Sequence, residues 1–100
     1  MVYRLMPVGF NLYKAIELDP KNGDTYRGRG FCKGSLEDHR GALADFNKAI
    51  ELDPKNVSAY YLRGLTKYQI ADKNGACLDW SKAGKLGYGD AYDTIKKFCN

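Results

Sequence analysis

The sequence is poor in the residues that usually carry chemistry. It has one histidine, His39, and three cysteines, Cys32, Cys77 and Cys99, an odd set with no Cys-x-x-Cys spacing. That set matches neither a zinc-ligand pattern nor the disulfide framework of a small secreted domain. Long apolar runs are missing as well, and nothing approaches the roughly 18 residues needed to cross a bilayer. The first ten residues are apolar but broken by Arg4, Pro7 and Gly9, and they lack the continuous core and small-residue cleavage site of a secretory leader. The expectation is a cytoplasmic chain with reduced thiols, no metal, no cofactor and no membrane contact. Blocks of one charge are also absent. The 16 Lys and Arg and 12 Asp and Glu are interspersed, and the resulting net charge of +4 reads as a solvated surface rather than a polyanion-binding stripe.

Catalytic signals are equally thin, and no enzyme activity is expected. His39 falls in a polar connection and corresponds to Lys73 one repeat later, which suits a surface residue better than a general base. Gly28-Arg-Gly30 sits within a helical stretch with no strand before it, so it is no phosphate loop.

What the chain does have is repetition. Lys14-Ala-Ile-Glu-Leu-Asp-Pro-Lys-Asn22 recurs letter for letter as Lys48–Asn56, an offset of 34 residues. Each copy reads as the end of a helix. Apolar residues fall at helical spacing, and then proline removes a donor and pushes its predecessor out of the helical region. Helices are expected over about 7–18, 24–36, 40–52, 57–70, 74–85 and 90–98, with Asp24 near the start of the second. Aligning 23–56 with 57–90 pairs Tyr26 with Tyr60, Arg29 with Arg63, Gly30 with Gly64, Lys33 with Lys67 and Asp38 with Asp72. It also pairs Gly41 with Gly75, Ala42 with Ala76, Asp45 with Asp79, Ala49 with Ala83, and the aromatics Phe46 and Trp80. Each unit is thus an antiparallel helix hairpin. Its small residues stand where backbones must approach, and its apolar faces are buried only by stacking on a neighbour.

This 34-residue pattern resembles the tetratricopeptide repeat (TPR) family. Tyr26 and Tyr60 stand in its tryptophan slot, Gly30 and Gly64 in its glycine slot, Ala42 and Ala76 in its first alanine slot, Phe46 and Trp80 in its aromatic slot, and Pro20 and Pro54 in its proline slot. The resemblance implies an all-α fold of about six helices, a right-handed superhelical stack of hairpins forming one domain over 1–100. Its parts would be a half repeat at 7–22, repeats at 23–56 and 57–90, and a capping helix at 91–100.

Two departures recur. The family's leucine and second aromatic are replaced by Arg29 and Lys33, and again by Arg63 and Lys67. Each arginine precedes an aspartate, Asp45 or Asp79, by 16 residues, a spacing expected to pair them across the hairpin unless the arginines simply reach water. Cys77 and Cys99 are expected to lie close, as two buried thiols or as a disulfide tying down the cap. The first helix would lack its partner within the unit, which leaves open a homodimer through that face.

The resemblance also implies a concave groove for a peptide or partner helix, making the chain a protein–protein interaction scaffold. Expected groove residues are Asp24, Arg27, Phe31 and Ser35 from one unit, Ser58, Tyr61, Leu62, Tyr68 and Gln69 from the next, and Tyr92 and Lys96 from the cap. Leu65 and Ile95 share that face but are expected to pack between repeats. The family's carboxylate clamp for chaperone C-terminal tails needs two asparagines, and those slots hold Phe31 and Leu62. Arg27 and Lys96 keep basic slots, while Tyr92 fills the third. Chaperone-tail binding is therefore not expected. A helical-repeat nucleic-acid binder using Arg27, Lys33 and Lys67 is the alternative, without a base-reading pair in each unit; self-assembly without a groove ligand is the third.

Overall fold

A computed structural model describes residues 19–99. Five helices occupy this span: α1 (Gly23–Ser35), α2 (His39–Leu52), α3 (Val57–Gln69), α4 (Lys73–Lys85) and α5 (Asp90–Phe98). α1 pairs with α2 and α3 with α4; the two hairpins stack through α2 and α3, and α5 closes against α4. None of the described helices is long and apolar enough to cross a membrane. The helix expected at 7–18, and self-association through its face, lie outside the described residues.

The duplicated Asp-Pro-Lys-Asn segment folds the same way twice. The Asp19 carbonyl accepts from Asn22 N–H at 3.2 Å, and the Asp53 carbonyl accepts from Asn56 N–H at 3.0 Å. Each asparagine then caps the helix that follows. Asn22 Oδ1 accepts from Asp24 N–H at 3.0 Å, and Asn56 Oδ1 from Ala59 N–H at 3.2 Å. Asn22, not Asp24, is therefore the residue that starts α1.

The turns within the hairpins are built just as repetitively. Glu37 and Ala71 take positive φ, 64° and 69°. The next residue, Asp38 or Asp72, donates its N–H back to the Lys33 or Lys67 carbonyl at 2.8 Å. This is a Schellman ending. The same aspartates cap the following helices, each accepting at 3.0 Å, from Gly41 N–H and Gly75 N–H respectively. One residue thus ends one helix and begins the next. This double role places His39 in the first turn of α2 instead of in the connection.

Between the paired helices lies a seam of fully buried alanines, Ala42, Ala49, Ala76 and Ala83, with Phe46 and Trp80 as the largest buried side chains. The rings need bare backbone opposite them. A Cβ on Gly64 would stand 2.5 Å from Trp80 Nε1, and one on Gly30 would stand 2.7 Å from the Phe46 ring. Trp80 Nε1–H donates to the Tyr61 carbonyl at 3.2 Å, so the indole's polar atom is satisfied inside the core.

Beside each ring sits a buried carboxylate. Arg29 grips Asp45 with Nε–H and Nη2–H at 2.8 and 2.7 Å, and Arg63 grips Asp79 at the same two distances. The lysine one turn later joins in: Lys33 Nζ lies 3.3 Å from Asp45, and Lys67 Nζ lies 3.1 Å from Asp79. Each aspartate, only 3–4% exposed, faces two cations, which offsets its desolvation. The hydrogen bonds that Arg63 donates to Asp79 raise its guanidinium above its ordinary pKa, against the opposing effect of burial. Arg63 also donates to Asn47 Oδ1 on α2 at 2.9 Å, linking the two hairpins. The arginine–aspartate pairing is as expected; the lysines were read only as basic substitutions, and they complete it.

Cys77 on α4 and Cys99 at the end of α5 form a disulfide with Cα atoms 6.0 Å apart. Of the two arrangements the sequence left open, bonded sulfurs replace the thiol pair, because the α4–α5 contact holds the two backbones at a distance a disulfide spans. Cys32 is free and half-buried.

Three outcomes follow for unfolding measurements. Asp45→Ala, which removes the buried carboxylate that Arg29 and Lys33 share, should cost about 2–4 kcal/mol in urea denaturation, whereas the exposed Glu51→Ala should change stability by less than about 0.5 kcal/mol. Gly64→Ala should cost about 1–3 kcal/mol by forcing Trp80 out of place. Ala71→Gly, which relieves a left-handed residue at a helix end, should raise stability by about 0.5–1 kcal/mol.

Candidate functional site

The first helices of the two hairpins, α1 and α3, run side by side and leave a trough between them. Two cavities lie in it. The larger, about 310 Å³, is lined by Arg27, Gly28, Phe31, Ser58, Tyr61, Leu62 and Tyr88. The smaller, about 160 Å³, is lined by residues that include Phe31, Ser35, Leu62, Leu65, Thr66 and Gln69. Phe31 and Leu62 belong to both cavities, so the two adjoin. Phe31 is 56% exposed, unusual for a phenylalanine with so much apolar surface.

Local structure explains the placement. Arg27 and Phe31 are four residues apart on α1, as are Ser58 and Leu62 on α3, so each pair faces one way. Arg27 reaches the Asp24 carboxylate at 3.6 Å, and Asp24 in turn accepts from Asn56 Nδ2 at 3.3 Å. Asp24 is therefore a tether between hairpins at the mouth of the trough. Ser35 Oγ–H is turned back to the Phe31 carbonyl at 3.1 Å. Tyr61 is held firmly. Its hydroxyl shares a hydrogen bond with Thr94 Oγ1 at 2.9 Å, and its ring lies 4.7 Å from that of Tyr88.

The structure brings Arg27, Phe31, Ser58, Tyr61 and Leu62 together, with Ser35 and Gln69 further along. Three expected residues lie elsewhere. Tyr68 packs on Trp80 and Phe98, at centroid distances of 5.8 and 5.0 Å. Tyr92 lies over Gly84 of α4, where an added Cβ would come within 2.9 Å of its ring. Lys96 is exposed and lines neither cavity. The reason is the turn before α5. Gly87-Tyr88-Gly89 replaces the Asp-Pro-Lys segment, Gly87 takes φ 110°, and α5 starts without a side-chain cap and packs against α4. Ile95 packs on the core cluster, as expected.

Tyr88 is the residue the sequence reading passed over. It stands 34 positions after Pro54, in the proline slot, and an aromatic there was the available signal. The nucleic-acid alternative loses two of its cations, because Lys33 and Lys67 are engaged on buried aspartates. Among the described residues, no group of three or more His, Cys, Asp or Glu side chains could hold a metal ion. The trough offers apolar walls, a few hydroxyls and amides, and one guanidinium.

A family profile described as TPR repeat matches residues 35–70. The stacked hairpins have the tetratricopeptide-repeat fold, and the matched span covers the turn of the first hairpin through α3. Among solved structures, the first TPR of Spaghetti (RPAP3), bound to the HSP90 peptide SRMEEVD, superposes with a TM-score of 0.82 at 22% identity, over 88% of this chain and 71% of that one. The Arabidopsis OM64 TPR domain gives 0.78 at 27% identity, over 86% and 75%. YrrB, described as a TPR protein with an unusual peptide-binding site, gives 0.80 at 28% identity. There the match covers 85% of this chain but only 45% of YrrB, so the repeats described here span about half of that protein. No curated protein matches the sequence.

Proposed function

We propose that this TPR chain is a non-enzymatic interaction module that takes a peptide segment or short helix of a partner protein into the α1–α3 trough. Apolar side chains of the partner would lead. The observation that carries this reading is the pair Phe31 and Leu62, which joins the two cavities into one continuous apolar floor. Aromatic and aliphatic anchors in such recesses account for most of the binding energy at protein interfaces. Arg27, at one end, suits an acidic or carbonyl group beside the anchor. We place the interaction in the cytoplasm on composition alone.

The Spaghetti domain is described bound to the HSP90 peptide SRMEEVD, an acidic sequence, which supports a peptide-sized trough on this fold. The lining of this chain favours a different occupant. The two slots that hold asparagine in the family's carboxylate clamp are Phe31 and Leu62 here, and Tyr92 and Lys96 line neither cavity. A terminal carboxylate would meet an apolar surface and lose hydrogen bonds that it keeps in water. An internal segment bearing an aromatic or branched aliphatic residue fits better.

A random peptide library displayed on phage tests this. Peptides selected on the protein should carry such an anchor and should bind more tightly than SRMEEVD in calorimetry. Phe31→Ala and Leu62→Ala should each weaken a selected peptide about 10-fold or more, while leaving circular dichroism unchanged. Leu78→Ala, on an exposed face of α4, should leave Kd unaltered. Selection of acidic C-terminal tails, or indifference to Phe31→Ala, would overturn the reading.

A further inference from the structure

α5 is held by little. It has nine residues, too few for a helix to persist alone in water, and no side chain caps its N-terminus. Its attachments include Ala91, Ile95 and Phe98 against the Trp80 cluster, Tyr92 over Gly84, the Phe98–Tyr68 ring contact, the Thr94–Tyr61 hydrogen bond, and the bond from Cys99 to Cys77. That bond is reachable. A recess of about 390 Å³, lined by Lys73, Asn74, Cys77, Leu78, Ser81 and Cys99, opens over it, and both cysteines are partly exposed. Lys73 supplies positive charge in the recess where a departing thiolate would form. In a reducing compartment, disulfides that occur are usually transient ones, and exposed disulfides are the labile ones.

We infer that the Cys77–Cys99 disulfide is a redox latch that sets one wall of the trough; the inference rests on the groove reading for its functional meaning. Oxidised, it pins α5, and α5 fixes that wall in two ways. Thr94 holds the Tyr61 hydroxyl, and Tyr88, against the Tyr61 ring, lies in the turn that leads into α5. A dithiol donor resets it. The donor supplies two electrons and two protons, the sulfur–sulfur bond breaks, Cys77 and Cys99 end as thiols, and the donor leaves as its own disulfide. Freed α5 then undocks, Phe98 leaves Trp80 and Tyr68, and Tyr61 and Tyr88 lose their common brace. The trough between α1 and α3 becomes open at that end.

The test uses the full chain carrying Cys32→Ser, which prevents thiol exchange with the free cysteine. Two measurements are taken with and without dithiothreitol: amide hydrogen exchange, and the fluorine spectrum of protein labelled with 3-fluorotyrosine, assigned through Tyr61→Phe and Tyr88→Phe. Reduction should speed exchange at Ile95–Phe98 on the order of a hundredfold while α2 amides stay protected, and should move the Tyr61 and Tyr88 resonances. A Cys77→Ser/Cys99→Ser variant should start in the reduced state and ignore dithiothreitol. Unchanged α5 exchange, loss of α2 protection at the same rate as α5, a response in the double variant, or fixed Tyr61 and Tyr88 signals would each overturn the latch. None of these readouts needs a groove ligand, so a failed peptide selection leaves them interpretable, and a failed latch leaves the selection untouched.

Discussion

Each hairpin is closed by an aromatic ring pressed onto a glycine of the facing helix: Phe46 on Gly30, Trp80 on Gly64. No other residue type leaves room for the ring, so the separation of the two helices is fixed by that contact. The rest of the unit inherits the separation. Alanines two turns apart, on either side of the ring, complete the seam, and the aspartate beside the ring is carried to within bidentate reach of an arginine sixteen residues back. A carboxylate so deeply placed is costly unless its charge is met, and both units meet it with a guanidinium and an ammonium from successive turns of one helix. The basic residues that break the family pattern are therefore structural, and they belong to the inner face of the hairpin.

That division of labour bears on the trough. Cations committed to Asp45 and Asp79 serve the fold, and among the described residues Arg27 is the cation that lines the larger cavity. On the proposed reading, selectivity falls to shape and to the apolar floor of Phe31 and Leu62. The solved structures it resembles share this fold at identities of 22–28%.

The architecture was legible because it repeats. The nine-residue identity fixed the period, and the sixteen-residue arginine–aspartate spacing, present twice, gave the ion pairs. Less was visible where a residue acts in two places at once. Asp38 and Asp72 each close one helix and open another, which moved the expected starts of α2 and α4 by a residue. Glu37 and Ala71 adopt a left-handed conformation without the glycine that would announce it. On the α1 and α3 side the expected residues line one trough, since both helices follow the same Asp-Pro-Lys-Asn turn. The α5 side departs from the count. Its turn is rebuilt around Gly87 and Tyr88, so counting forward by 34 put Tyr92 and Lys96 on a face they do not share. Tyr68 was misplaced for a related reason, its ring being taken up by Phe98 of that same helix.

The two kinds of joint age differently under duplication. Asp53–Asn56 is a copy of Asp19–Asn22, and in both places the aspartate carbonyl receives the asparagine N–H while the asparagine side chain caps the helix that follows. Another 34-residue cassette could be spliced there in frame, and the gene would gain one more rung of trough, about 10 Å of helix width, without any new contact having to be invented. The joint at Leu86–Gly89 has no such freedom. It is rebuilt around Gly87 and Tyr88 to seat α5 against α4, so a cassette copied there would meet a joint of a different shape.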